Sequence, residues 1–197
     1  SVLTNKVDYG TGVDSYYKLT ADLNIAEGEP INTIIGTTTH PFRGHFDGGW
    51  HTLTININRT GLIYAAPFGV VDGATIENLK VAGTIRTDNK FAGGILGWVN
   101  NTDDTRETHI NNCISVVNIE SSTNGDGSHG GFAGQVEKGL LRFENCAFEG
   151  SITGDLTDKC AGFVSWRQGQ VEYNNCTMAG TISIHNNPRN AENTANF

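Results

Sequence analysis

The feature of this sequence that most constrains its fold is a motif that returns four times at nearly constant spacing. The motif is an Asn followed by Leu or Cys, with an apolar residue two positions before the Asn. Its copies are Ile76–Leu79, Ile110–Cys113, Phe143–Cys146 and Tyr173–Cys176. The last residues of successive copies lie 34, 33 and 30 positions apart. Periods of this size are typical of repeat architectures, in which each unit stacks on the next.

Two further motifs accompany each copy in the same order. A segment of small and apolar residues precedes the copy, and a short segment that ends in Ile follows it. The preceding segments are 66–69, 93–97, 130–134 and 161–165, and the following segments are 83–85, 117–119, 150–152 and 180–182. Each period therefore holds three short alternating stretches with no room for a helix between them, so strands are predicted throughout.

A three-strand repeat of about 30 residues cannot bury its apolar face alone, but stacked copies form a solenoid with one continuous core. The predicted fold is all-β: a single right-handed parallel β-helix of three-strand coils, about four to five coils long. A β-propeller blade needs four strands and about 40–50 residues, more than these periods hold. The β-helix domain is expected over residues 1–184, with 1–41 as an N-terminal cap and irregular first coil, and 185–197 as a polar tail.

Composition and charge exclude several functions. The net charge is −8 and the 13 basic residues are scattered, which argues against nucleic acid and against an anionic membrane surface. No apolar run reaches the roughly 18–20 residues of a membrane-spanning helix. The acidic surface, rich in Gly, Asn and Thr, suits an exported protein. Ser1–Lys6 is neither a signal peptide nor a lipidation motif, so we expect a longer precursor that carried the export signal.

Here the motifs carry a resemblance to a known family. The resemblance rests on Phe42–Gly48, which reads Phe-x-Gly-x-Phe-Asp-Gly, and on the later units Gly-Gly-Phe/Ile-x-Gly, Ile-x-Asn-Cys and Gly-x-Ile. In these motifs the chain resembles GLUG-repeat and related extracellular bacterial β-helix proteins, which are frequent in gut bacteria. The resemblance covers about residues 16–184 and departs at Ala66-Pro67 and at Ser165. It implies a secreted or cell-surface module of a larger protein. Because such modules occur in adhesins, proteases and polysaccharide-acting proteins, it implies no particular activity.

The cysteines occupy a repeat position of their own. Cys113, Cys146 and Cys176 share this position with Leu79, whereas Cys160 lies outside it. Since successive coils stack about 4.8 Å apart, the sequence predicts an interior ladder of small apolar side chains with reduced, buried thiols. A metal ladder or disulfides are the alternative. No Cys-x-x-Cys pair is present, and in-register neighbours rarely orient their Cβ atoms for a disulfide.

Two other segments contain residue types that bind metals. His45 and His51 flank Asp47, but the turn Asp47–Gly49 accounts for the Asp and no third ligand is close in sequence. Asn124–Gly127 resembles the beginning of a calcium loop but lacks the Glu that closes it, so a plain turn is predicted. We predict neither a metal nor a cofactor.

Polysaccharide cleavage would require two carboxylates about 5–9 Å apart. The predicted coils align Glu77, Asn111, Glu144 and Asn174 on the outer surface. Glu77 and Glu144 are then two coils, or about 10 Å, apart, which is at the outer limit of that range. The sequence indicates no surroundings that would make either residue the general acid that such cleavage needs. We therefore predict no catalytic residues, and an enzyme is the least favoured function.

The tryptophans give the functional hypothesis. In the motif before each Asn copy, alternation points Ile95, Phe132 and Phe163 inward and Trp98, Gln135 and Trp166 outward, with Leu96, Ala133 and Val164 also outward beside them. Coil spacing puts Trp98 and Trp166 about 9.6 Å apart on a flat face, close to the spacing of alternate sugars in an extended β-linked glycan. Exposed indole rings suit sugar faces.

The sequence thus predicts a non-catalytic module that binds a polysaccharide on this outer face. Gln135 between the two indoles, with Arg167 and Asn100 nearby, would supply hydrogen bonds to the sugar. The alternatives are a structural stalk or adhesin module with a protein partner, and a polysaccharide-cleaving enzyme. In the structural alternative, the N-terminal segment or a neighbouring domain covers the Trp face. We expect a monomeric module with no nucleic-acid partner and no membrane insertion.

Overall fold

The predicted β-helix is confirmed by a computed structural model, which describes residues 15–25, 34–58, 60–185 and 194–195. All strand pairs among these residues are parallel, and the strands stack into a solenoid of about five coils. None of the described segments forms a helix of the length and apolarity needed to cross a membrane.

We number the coils from the N-terminus. Two short strands, β1 (Tyr16–Lys18) and β2 (Leu23–Asn24), precede coil 1, whose long strand is β3 (His45–Asn58). Coil 2 contains β4 (Tyr64–Ala65), β5 (Phe68–Val71) and β6 (Thr75–Thr87). Coil 3 contains β7 (Phe91–Gly93), β8 (Leu96–Asn100), β9 (Glu107–Asn111) and β10 (Ile114–Ser121). Coil 4 contains β11 (Gly125–Gly130), β12 (Ala133–Lys138), β13 (Leu140–Glu144), β14 (Ala147–Phe148) and β15 (Ser151–Gly154). Coil 5 contains β16 (Thr157–Ala161), β17 (Val164–Arg167), β18 (Gln170–Asn174), β19 (Thr177–Met178) and β20 (Thr181–Ile184), and β21 (Thr194–Ala195) follows it.

The coils build three sheets, as a three-strand coil requires. The largest, sheet A, has 12 strands and includes β3, β6, β10 and β13. Sheet B is formed by β5, β8, β12 and β17, and sheet C by β4, β7, β11, β16 and β21. Each complete coil passes through sheet C, then sheet B, then sheet A, so equivalent residues of successive coils are hydrogen-bonded neighbours.

The recurrence of Asn in this motif has a backbone cause. Asn78, Asn112, Asn145 and Asn175 all adopt left-handed conformations, with φ of 52, 53, 53 and 52°. Asn tolerates this region better than other non-glycine residues, which explains its recurrence where the chain bends within sheet A. The side-chain amides also form a ladder: Asn112, Asn145 and Asn175 each donate to the Oδ1 of the preceding Asn at 3.0, 3.1 and 2.7 Å.

Asp47 ends this ladder on the N-terminal side. Its carboxylate accepts hydrogen bonds from the Asn78 amide at 3.1 Å, the Gly49 backbone N–H at 2.8 Å and the Tyr16 hydroxyl at 2.9 Å. The Lys18 ammonium pairs with it at 2.9 Å. Lys18 and these donors hold the pKa of Asp47 well below its usual range. Tyr16 and Lys18 both belong to β1, so one buried carboxylate ties the first coil to that strand.

One continuous core runs through the coils. The inward assignments of Ile95, Phe132 and Phe163 agree with the structure, since all three have no exposed surface. The Phe132 and Phe163 rings stack at 4.7 Å between centroids, and the Phe143 ring meets both edge-on. Burial of such rings removes 150–250 Å² of apolar surface each from water, so this stack contributes much of the stabilisation.

The described parts of the predicted cap and tail belong to the solenoid. Strands β1 and β2 pair in parallel with β3, and Ile35, like Phe42 just after the cap, forms a single bridge to sheet B. Thr194–Ala195, within the predicted tail, pairs with β16 of sheet C. Residues 1–14 of the predicted cap, 26–33, and 186–193 and 196–197 of the tail lie outside the described residues.

The cysteine ladder position is interior in coils 3 and 4. Leu79, Cys113 and Cys146 are at most 2% exposed, and all four cysteines are free thiols. Burial raises the pKa of Cys146 and of Cys160 to about 12. Cys176 departs from the expectation of complete burial: it is half-buried, because it lies in the last coil. Cys160 is buried in sheet C, away from this line.

Candidate functional site

The outer line of sheet B holds the residues that the sequence singled out. Pairing between β8, β12 and β17 puts Gln135 directly opposite Trp98 on one side and Trp166 on the other. Val70 of β5 precedes Trp98 in the same line. Two steps of the interstrand spacing separate the tryptophans, which corresponds to about 9.6 Å. We call Trp98, Gln135 and Trp166 the Trp line.

Trp98 is half-buried by an aromatic neighbour from the preceding coil. Its ring stacks on Tyr64 at 4.9 Å and 12°, and Tyr64 in turn stacks on Phe91 at 5.6 Å and 9°. Tyr64 and Phe91 belong to sheet C, so the outer sides of sheets B and C meet here in a corner rather than in the flat face that was expected. The Trp98 Nε1 is buried and has no protein hydrogen-bond partner.

Trp166 is half-buried as well, but its neighbour is a cation. The Lys159 ammonium lies 4.7 Å from the centre of the Trp166 ring, within the range of a cation–π interaction. Asp126 accepts from Lys159 at 2.7 Å and pairs with Lys90 at 2.7 Å, so one carboxylate joins three coils. These two lysines hold the pKa of Asp126 below its usual range. The corner is thus apolar at Trp98 and cationic at Trp166.

Gln135 does not offer a free amide between the two indoles. It is 7% exposed and donates a hydrogen bond to the carboxylate of Glu137, which is itself only half-buried. The group available between the tryptophans is therefore the Glu137 carboxylate, with Gln135 as the residue that positions it. Asn100 is half-buried at the end of β8, opposite Lys138.

One orientation prediction beside the Trp line is wrong. Leu96, Ala133 and Val164 are buried in the core, because the chain bends immediately before each of them and the alternation restarts. Arg167 occupies the register line of Val136 and Val99, which are core residues. Its charge lowers the pKa of the Tyr173 phenol, although burial raises that pKa overall to about 12. Coil 5 has no complete described coil after it and Arg167 is exposed there, so its role beside the Trp line stays a prediction.

Sequence reasoning missed Tyr64, Lys159 and Glu137. No repeat motif marks them, and Tyr64 lies in an irregular stretch before the first complete motif. Their contribution depends on the corner between sheets B and C, which brings together residues of different coils. A pattern that alternates along one strand contains no information about that corner.

The predicted line of carboxylates and amides is present on sheet A. Glu77, Asn111, Glu144 and Asn174 are in register across coils 2 to 5. The nearby charges are paired: the His45 Nε2 lies 2.8 Å from the Glu77 carboxylate. Glu107 pairs with Arg142 at 3.0 Å, which lowers the pKa of Glu107. A general acid for glycoside cleavage needs a raised pKa, the opposite direction.

The histidines that flank Asp47 bind different carboxylates. His45 pairs with Glu77, whereas the His51 Nδ1 lies 3.3 Å from Asp22. Within the described ranges, no three His, Cys, Asp or Glu side chains converge as metal ligands would.

Comparison with known proteins identifies a similar fold but no family. No protein-family model matches the chain, and neither does any curated protein. The GLUG likeness is thus a likeness of motifs. Among solved structures, the chain resembles the crystal structure of a "putative immunoglobulin A1 protease from Bacteroides ovatus", with 16% identity and a TM-score of 0.51 over 86% of this chain and 77% of that one. At this identity the likeness shows a shared β-helix fold and nothing about activity.

Proposed function

We propose that this chain is a non-catalytic carbohydrate-binding module of a secreted or cell-surface bacterial protein. The observation that carries the proposal is the Trp line: two indoles in register, two coils apart, on the outer side of one sheet. A glycan lying parallel to the solenoid axis meets both rings at the spacing of alternate sugars. The module would act as a monomer within a larger protein.

The chemistry of the corner supports a sugar ligand. Indole rings bind the apolar faces of sugars, and Trp98 and Trp166 are each held in place by a packed neighbour, Tyr64 or Lys159. A ring that is already immobilised loses little conformational entropy when it binds. Glu137 supplies an acceptor for sugar hydroxyls between the rings.

The corner also carries a cost that packing does not explain. A buried indole N–H without a partner destabilises a fold by about 1–3 kcal/mol. Trp98 contains such an N–H. Because this N–H is enclosed, only the ring of Trp98 is expected to contact a sugar.

The test is affinity gel electrophoresis of the wild type and of single variants against a panel of plant and host glycans. Trp98→Ala and Trp166→Ala should each weaken binding by about 1–3 kcal/mol, as central aromatic truncations do. Gln135→Ala should have a smaller effect, about 0.5–1.5 kcal/mol, since it removes one hydrogen bond that positions Glu137.

The matched control is Trp50→Ala. Trp50 is 74% exposed but belongs to coil 1 of sheet A, outside the Trp line, so its removal should leave affinity unchanged. If both Trp-line variants migrate like the wild type in every gel that retards it, the proposal fails. Release of reducing ends or unsaturated products would instead indicate a polysaccharide-cleaving enzyme, and retardation by no glycan would favour the stalk or adhesin alternative.

A further inference from the structure

A cleft of about 860 Å³ lies where sheet A leads into sheet C. The Trp line lies at the other edge of sheet C, where that sheet meets sheet B. The cleft lies between the last outward positions of sheet A and the loops that lead into sheet C. Its floor is one register line with a side chain from every coil: Asn58, Arg86, Glu120, Thr153 and Ser183. All five residues are exposed. We call this cleft the A–C trough.

The trough has the shape of a channel for an extended chain. Five in-register positions are joined by four steps of about 4.8 Å, so the floor is about 19 Å long and parallel to the solenoid axis. The other wall is built from the loop residues Thr60, Asp88, Ser122 and Asp155 of successive coils. A straight polymer with a regular repeat can therefore meet a side chain at the same position of coil after coil.

The lining selects the chemistry of that polymer. Hydroxyl and amide side chains dominate, and the described part of the lining contains no Phe, Tyr or Trp. The Arg86 guanidinium is neutralised by Glu120 at 2.9 Å, while among the described lining residues only His185 could act as a cation for the carboxylates of Asp88 and Asp155. The surplus of negative charge repels a polyanion. Hydrogen-bonding groups without a net positive charge favour a neutral chain rich in hydroxyl groups.

We infer that the A–C trough binds an extended neutral polysaccharide parallel to the solenoid axis. This site is separate from the Trp line and does not depend on it. It differs from the Trp line in chemistry, since it recognises hydroxyl groups along a chain, whereas the Trp line stacks on sugar faces beside a cation. A glycan with uronate groups should avoid the trough.

The experiment removes the Trp line before it tests the trough. In a Trp98→Ala/Trp166→Ala background, gels that contain galactomannan or hydroxyethylcellulose should still retard the protein, and gels that contain polygalacturonate should not. Adding Thr153→Trp should fill the floor and reduce the apparent affinity at least tenfold. The matched control is Ser151→Trp, two residues earlier in the same strand and outside the trough.

Each outcome decides the inference. Ser122→Trp, at an exposed loop position of the opposite wall, provides a second blocking variant, and circular dichroism checks that each variant is folded. If the background variant is retarded by neither neutral glycan, or if Thr153→Trp and Ser151→Trp behave alike, the trough does not bind glycan. Those results leave the proposed function intact, because the Trp line is judged by its own single variants against the wild type.

Discussion

Coil 4 and coil 5 are copies of the same repeat, yet side chains at equivalent positions of the two coils differ in burial. Phe143 of coil 4 is 1% exposed, whereas Tyr173, its register partner in coil 5, is 38% exposed. Cys146 and Cys176 differ in the same way. Both coils stack on the coil before them, but only coil 4 has a complete described coil after it. Repeat position therefore sets the direction of a side chain, and the next coil determines how deeply it is buried.

The largest expected consequence concerns core truncation. Phe132→Ala in coil 4 should lower the free energy of unfolding by about 3–5 kcal/mol, because Phe132 is fully enclosed by its neighbours. Ile182→Ala, at an inward but half-buried position of coil 5, should have an effect several-fold smaller. Denaturant unfolding of both variants gives the comparison. Equal losses would mean that the last coil is as tightly packed as the middle of the solenoid.

Two histidines, one inside coil 4 and one at the end of coil 5, should differ in their effect on stability at acid pH. His129 in coil 4 is fully buried, and burial lowers its pKa from 6.5 to about 4. Between these values the unfolded chain binds a proton that the folded chain does not, so stability falls as pH decreases from 6.5 to 4. The loss due to His129 should reach about 2–3 kcal/mol near pH 4.5.

The measurement is the unfolding free energy at pH 6.5 and at pH 4.5 for the wild type, His129→Gln and His185→Gln. His129→Gln should lose less stability than the wild type over this interval, even if it is less stable at both pH values. His185→Gln, at an exposed position at the end of coil 5, is the control for the substitution itself. A common pH dependence in all three proteins would show that His129 is solvated.

The Asn ladder allows a smaller comparison. Asn112 has ladder partners on both sides, whereas Asn175 has one described partner, Asn145. Asn112→Ala should cost about 2 kcal/mol, because Ala is less favourable than Asn at positive φ and two hydrogen bonds of about 0.5–1.5 kcal/mol are lost. Asn175→Ala should cost about 1 kcal/mol less.

Asn112→Gly separates the two contributions, since glycine accepts positive φ without strain. In thermal melts it should lie between the wild type and Asn112→Ala. If Asn112→Gly is as damaging as Asn112→Ala, the backbone strain is negligible and the side-chain ladder accounts for the motif.

Most of the fold follows from the repeat, and much of the candidate site does not. Four copies of an ordered set of motifs are enough to predict the solenoid, the inward line of Phe132 and Phe163, and the register of Trp98 with Trp166. The outward assignment of Leu96 is wrong because alternation holds only within one strand and restarts at a bend. The placement of Tyr64 over Trp98 depends on the angle between two sheets, for which a one-dimensional pattern contains no signal.

The most direct test of the claim that the neighbouring coil determines burial is thiol labelling of the native protein, followed by mass spectrometry to locate the label. Cys113, Cys146 and Cys176 share one repeat position, so they differ only in what covers them. Cys176 should react first, while Cys113, Cys146 and the separate buried Cys160 should react only after unfolding, since burial raises the pKa of each of these three thiols. Labelling of Cys113 or Cys146 in the native protein at the rate of Cys176, or a disulfide between any two of the four, would contradict the account.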